Sequence, residues 1–190
     1  MTDSGALTIT GTSSFTTSAN NATIALDTTT NAFTGSLTIT TNDDSGTDAD
    51  VSIDGGTTAL ILATSTIDGD LTVTSGNASG ITDSGTLTVG GNLSATATTG
   101  NMADSGALTI AGTTTLTTSA NNATVALDTT TNAFTGAVTI TTNDDSGTDA
   151  DVTIDGGTTA LVLAASTIDG DLTVINGNAS GITDSGTLTV

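Results

Sequence analysis

The chain of 190 residues contains no lysine, arginine or histidine, and no cysteine, proline, tryptophan or tyrosine. Glutamate and glutamine are missing as well. Without cysteine there is no disulfide, thiolate metal site or sulfur nucleophile. Without histidine the usual general base and the commonest metal ligand are gone. Without lysine or arginine there is no Schiff-base chemistry, no phosphate clamp and no side-chain salt bridge. No apolar run reaches the length of a membrane span, and no basic segment followed by an apolar one opens the chain, so no membrane insertion is expected.

What is present is equally one-sided. All 20 acidic residues are aspartate, giving a formal charge of -20, while threonine supplies 50 residues and glycine 23. Such a charge repels nucleic acid and anionic membrane surfaces, and no nucleic-acid partner is expected.

The dominant feature is an internal repeat. Residues 1–89 align without gaps on residues 102–190, with 76 identities in 89 positions. The exchanges preserve character: Ile24 for Val125, Leu37 for Val138, Ile61 for Val162, Phe15 for Leu116. Interior rows tolerate swaps of this kind. Nothing between Gly90 and Ala103 looks like a linker, so one continuous body over 1–190 is expected, with sequence repeats at 1–101 and 102–190.

Within each unit a shorter theme recurs: a turn, then apolar–Thr–apolar. It reads ALTI from Ala6, SLTI from Ser36, DVSI from Asp50, DLTV from Asp70 and TLTV from Thr86. Alternation with period two sends Leu, Ile and Val to one face and Thr to the other. Branched Cβ atoms favour strands, and helix formers are scarce. The separators DSG, DDSG, DGG, DGD and SGN are turn chemistry. Strands this short would need a second sheet in a hairpin stack; in a coil, each turn covers the last. The expected fold is an all-β parallel β-solenoid of ten to twelve coils, five to six per repeat. A sandwich of immunoglobulin size and a disordered linker are the alternatives, disfavoured by the missing aromatics and by the strict alternation. Leu7, Ile9, Ile24, Leu26, Leu37, Ile39, Val51, Ile53, Leu71, Val73, Leu87 and Val89, with their counterparts 101 positions later, should line the core.

The segment ITDSGTLTVGGNLSATA, Ile81 to Ala97, resembles the repeats of filamentous haemagglutinin-type bacterial adhesins. The likeness extends over Ser65 to Val89 and over 166–190. It implies a right-handed parallel β-helix with three short strands per coil. It also implies a structural stalk or fibre segment of a large secreted or cell-surface protein, extracellular in location. Its partners would be neighbouring repeats, end-to-end copies, or a host or neighbouring-cell surface. The chain departs from many such repeats in lacking all basic residues.

Candidate sites are few, and no catalytic residue and no enzyme activity is expected. D-S-G at Asp3, Asp44, Asp83, Asp104, Asp145 and Asp184 matches the aspartic-protease triplet, but a turn before a strand explains its recurrence. A polysaccharide-binding or polysaccharide-cleaving β-helix is an alternative; carboxylate pairs could serve it, yet no aromatic or basic side chain would grip a sugar. No organic cofactor is indicated. The best case for a metal is Ca²⁺ on hard oxygen clusters: Asp43, Asp44, Asp48 and Asp50, repeated as Asp144, Asp145, Asp149 and Asp151. Asp54, Asp68 and Asp70 follow, but neither EF-hand nor nonapeptide spacing occurs. Rows of threonine suggest an ice- or water-ordering solenoid. Paired by the 101-residue repeat, Thr10 and Thr74 meet Ala111 and Ile175, which would spoil such a plane. N-x-Ser/Thr at Asn21, Asn77, Asn92, Asn122 and Asn178 reads as turn chemistry as readily as glycan acceptors.

Overall fold

The computed structural model describes residues 1–42, 48–143 and 148–190. Among them every strand is two to five residues long, there is no helix, and the pairings between strands are parallel. The chain winds as a parallel β-solenoid of about eight turns. One row shows the winding: Ile24 lies beside Val51, then Leu71, Leu93, Thr114 and Val138. A turn takes from 20 residues, Val51 to Leu71, to 27, Ile24 to Val51.

In the middle of the stack each turn has one long strand and two short ones. Leu71–Ser75, Leu93–Ala97 and Thr114–Thr118 stack in a 10-stranded sheet. Ile81–Asp83 with Leu87–Val89, then Met102–Ala103 with Leu108–Ile110, stack in a 12-stranded sheet. Alternation holds in each. Leu71 and Val73 are buried and Thr72 is exposed between them; Leu93, Ala95 and Ala97 are buried between Ser94 and Thr96. The two inner faces make one continuous hydrophobic core.

The number of turns per repeat corrects the expectation. Val125, the counterpart of Ile24, falls between the fourth neighbour of Ile24 (Thr114) and the fifth (Val138). The 101-residue repeat therefore spans about four and a half turns, not five or six. The half turn moves equivalent segments to different sheets. Ile24–Leu26 and Leu71–Ser75 belong to the 10-stranded sheet, but Val125–Leu127 and Leu172–Ile175 to the 12-stranded one. Leu37–Thr40 and Val138–Thr141 make the opposite exchange.

The exchange happens where one strand gives way to two. Leu37 pairs with Leu62, but Thr40 pairs with Thr66 across a corner. The corner would orphan the Ile39 N–H. The Ser65 hydroxyl accepts it at 2.9 Å and donates to the Ala63 carbonyl at 2.8 Å. Ser166 does the same for Ile140 and Ala164. A buried unpaired amide is costly, so a serine stands on the inner face at both corners.

Hydrogen bonds cross the boundary between the copies: Ser105 N–H to Asp83 O, Leu87 N–H to Ala107 O, Leu93 N–H to Thr113 O. The predicted inward residues are buried through the middle of the stack. Leu7, Ile9, Leu172, Val174 and Leu188 are only partly buried, and Val190 is 66 % exposed, because they occupy the end turns. The exposed large apolar residues Met1, Ile175, Ile182 and Val190 also lie there. Gly56 shows the demand at a tight corner. Its φ is +55°, a Cβ there would collide with the Asn31 carbonyl, and its N–H is taken by Asp54 Oδ1 at 2.7 Å.

Replacing Val73 with aspartate puts an unpaired carboxylate in a core that holds no cation. It should cost at least about 3 kcal/mol in urea unfolding, whereas Thr72→Asp on the outer face should stay within about 0.5 kcal/mol. Equal losses from the two would contradict the inward and outward assignment.

Candidate functional site

Aspartate and asparagine side chains sort into three settings, each fixed by a turn. The first is a corner column that precedes the long strands. Asp50 Oδ1 accepts the Asp70 N–H at 2.8 Å, Asp70 Oδ1 accepts the Asn92 N–H at 2.6 Å, and Asn92 Oδ1 accepts the Thr113 N–H at 2.8 Å. Each side chain thus caps the backbone of the next turn. The second copy repeats the contact from Asp171 N–H to Asp151 Oδ1. An Asx side chain reaches such a donor without strain, which explains Asp or Asn before Val51, Leu71, Leu93, Val152 and Leu172.

These contacts bear on the expected Ca²⁺ ligands. Asp50 and Asp151 are exposed and each commits one oxygen to the corner column. Asp48 and Asp149 are exposed. Asp43, Asp44, Asp144 and Asp145 lie outside the described residues. Among the described residues no group of three or more acidic side chains comes together to hold a metal ion. Asp54 and Asp155 cap their own turns through Gly56 and Gly157 N–H.

The second setting is a buried asparagine. Asn132, 1 % exposed, accepts the Leu108 N–H at 2.8 Å and donates to Asp104 Oδ2 at 2.6 Å. Asn31 makes the same bonds to Leu7 and Asp3. The outcome for the two carboxyls differs. Asp3, solvated at the end of the stack, is held below the ordinary carboxylate range, first by its bond from Asn31. Asp104 has another turn beside it and is pushed up, with loss of hydration outweighing the bonds from Asn132 and Thr129.

The third setting joins two D-S-G triplets that sequence reasoning assigned only to turns. Asp83 and Asp104 occupy adjacent turns, since Ile81 pairs with Met102 and Thr82 with Ala103. Asp83 and Asp104 both line a cavity of about 40 Å³, otherwise walled by side chains such as Leu62, Val73, Leu93 and Leu116. Asp83 is 5 % exposed; Oδ1 receives the Gly106 N–H at 3.3 Å, and Oδ2 has no hydrogen-bond partner. Burial drives its pKa up to about 6, and the charge of Asp104 adds to the rise. Among the described residues the other copies differ: Asp3 lies at the end of the stack and Asp184 is exposed, while Asp44 and Asp145 lie outside the described residues. The 21-residue spacing of Asp83 and Asp104, one turn in this part of the stack, was the signal available in the sequence.

The outer face carries an arrangement the 101-residue pairing hid. Rows join residues one turn apart. Thr72, Ser94, Thr115 and Thr139 form one column, and Thr74, Thr96, Thr117 and Thr141 a second beside it. Four successive turns therefore present Ser/Thr–x–Thr on one sheet. The expected interruption at Ala111 and Ile175 falls elsewhere, because those residues lie in the other sheet or at its edge.

Asp70→Ala should cost about 1 kcal/mol, since it removes the carboxylate bond to the Asn92 N–H and leaves that donor to water. Asp48→Ala, on an exposed side chain, should change stability by less than about 0.5 kcal/mol. Chemical denaturation of the two variants under the same salt makes the comparison.

Comparison with curated proteins and with solved structures gives no match. A family described as "Repeats of unknown function (DUF5649)" matches residues 1–40, 48–97, 85–141 and 149–190. Those stretches cover well over half of the chain and take in both sheets, the corner column and the Asp83–Asp104 cavity, so the chain belongs to the DUF5649 repeat family.

Proposed function

We propose that this chain is a structural stalk or fibre segment of a large bacterial surface or secreted protein, acting by extension and display. The observation that carries this reading is the unbroken core with rung-to-rung hydrogen bonds across the boundary between copies. A solenoid of this kind lengthens by adding repeats without redesign, because each turn contacts only its neighbours. Stiffness comes from the axial bonds, and the Thr and Asp exterior keeps the rod hydrated. The partners on this reading are further repeats stacked on the ends. Their register follows from the internal pairing: Ile81 beside Met102 and Leu87 beside Leu108 place Ile182 beside a Met1 equivalent and Leu188 beside a Leu7 equivalent. The resemblance to filamentous haemagglutinin-type repeats supports an adhesin and an extracellular setting. Twenty carboxylates without an opposing side chain also repel neighbouring rods, an effect that salt weakens over about 8 Å at physiological strength. Loose Ca²⁺ uptake by the acidic loops fits the same charge imbalance.

Chains built with two, four and six copies should lengthen by about 22 Å per copy, four and a half turns at about 4.8 Å. Small-angle scattering or electron microscopy reads this directly. Compaction or bending between copies, with no linear growth, would reject the stalk.

The double Ser/Thr column favours a second reading, a water-ordering surface. Its hydroxyls repeat at about 4.8 Å across turns and about 6.6 Å along a strand, a regular two-dimensional lattice. On this reading the protein slows ice recrystallisation, and Thr96→Tyr with Thr117→Tyr removes the effect while leaving the melting temperature unchanged. An inactive parent protein in the same assay leaves the stalk reading alone.

A further inference from the structure

The Asp83–Asp104 cavity is a charge problem that the fold solves only in part, since one Asp83 oxygen receives the Gly106 N–H and the other receives nothing. Asp83 Oδ2 is buried and unpaired beside a second carboxyl, in a chain with no basic side chain. The N-terminal ammonium is far in sequence and bonded to the Thr23 carbonyl. The groups packed around Asp83 are otherwise apolar: Leu62 from the preceding turn, Leu87, Leu93 and Ala95 from the following strands, and Leu108, Leu116 and Leu127 beyond. Asp104 is the titratable group that faces it. Asp128 comes next, and contributes its backbone N–H to Asp104 Oδ1 at 3.1 Å.

A hard cation requires six or more oxygens for Ca²⁺, and this cavity offers one free carboxylate oxygen and a second carboxyl already bonded to Asn132 and to the Asp128 and Thr129 amides. Hydrocarbon walls supply no more. A proton asks for far less. It neutralises one oxygen, and the volume of about 40 Å³ has room for one water to receive the resulting O–H. Asp83 is the buried member and Asp104 is only half-buried, so the proton settles on Asp83, whose charge would otherwise sit in the core next to the turn that carries a second carboxyl.

We propose that the stacked Asp83–Asp104 pair is a buried proton-binding site that tightens the solenoid in mild acid at the junction of the two copies. The site does not depend on the stalk reading. It sits where the second copy begins, and its counterparts Asp3 and Asp184 are left at the two ends of the stack.

The sign follows from linkage. The folded pair holds a proton to higher pH than the unfolded chain does, so stability from this site grows as pH falls from about 7 towards 4, and is lost as pH rises through about 6. The full step corresponds to up to about a hundredfold in the folding equilibrium constant. Asp3, with its lowered pKa, acts in the opposite sense and only at more acid pH.

The test is unfolding by urea at constant ionic strength between pH 4.5 and 8, on the unaltered chain and on Asp83→Asn, with ¹³C-carboxyl NMR of aspartate in the unaltered chain. The expected result is one carboxyl that titrates near 6, and a fall in stability across that pH in the unaltered chain that Asp83→Asn lacks. Asp83→Asn should also be the more stable protein at pH 8. Should it fold poorly, Asp83→Leu serves, since Leu62 holds the paired position one turn away. Titration of every aspartate in the ordinary carboxylate range, or the same pH slope in both proteins, overturns the proposal. So does stabilisation by CaCl₂ at pH 8, at matched ionic strength, that Asp83→Asn abolishes, which would make the ligand a metal ion.

Discussion

In a chain without a cationic side chain, the groups of its own that can meet a carboxylate leaving water are an N–H or a hydroxyl, and failing those it takes up a proton. Much of the side-chain design answers that constraint. The corner column gives Asp50 and Asp70 the backbone amide of the next turn. Asp54 and Asp155 cap their own turns. Asp3 and Asp104 are received by buried asparagines that also hold the Leu7 and Leu108 amides. Among the described aspartates only Asp83 keeps an oxygen inside the core with nothing to receive, and there the cheapest remedy is neutralisation. Apart from the caps of Asp54 and Asp155, the same bonds bind one turn to the next, so compensating the charge and building the stack are one task.

Polar residues on the inner face follow a related logic. Ser65 and Ser166 occupy core positions because a corner in the next turn removes a ladder acceptor. Thr114 and Ser13 place hydroxyls inside without hydrogen-bond partners. Both belong to the stretch where the copies differ most, at Ser13/Thr114, Ser14/Thr115 and Phe15/Leu116. Phe15 meets Phe33 edge to face with ring centroids 6.1 Å apart, and Leu116 replaces it beside the cavity. A smaller side chain there is consistent with the space next to Asp83.

Much of the fold was legible because alternation is a local signal. Leu–Thr–Val and Leu–Thr–Ile announce a strand with one buried face, and the repeat announces stacking. The short strands Ala32–Phe33, Leu60–Leu62 and Met102–Ala103 carry no such pattern. One turn also holds two motifs, as Leu71–Val73 and Leu87–Val89 do before Leu93, so taking one motif per turn makes turns shorter and more numerous than they are. Register was the harder quantity. Residues 101 apart are alike in sequence but are not neighbours in space. Pairing Thr10 with Ala111 therefore misjudged the outer face, and the real neighbours, Thr74 with Thr96, became visible only once the length of a turn was known. The Asp83–Asp104 pair was hidden for the opposite reason: its triplets looked like repeated punctuation, and only stacking shows that two of them face the same cavity.

The half turn left over by each repeat has a geometric consequence for anything the surface carries. A side chain, a glycan or a bound molecule placed at one position of the repeat reappears in the other sheet one copy later, and returns to the first after two. A long array would thus be a two-sided object made from a one-sided code. Identical features would line up in two rows, each with a spacing of about 43 Å, nine turns of about 4.8 Å. A rod so marked could engage two surfaces at once, or bundle into flat sheets, with no second kind of subunit.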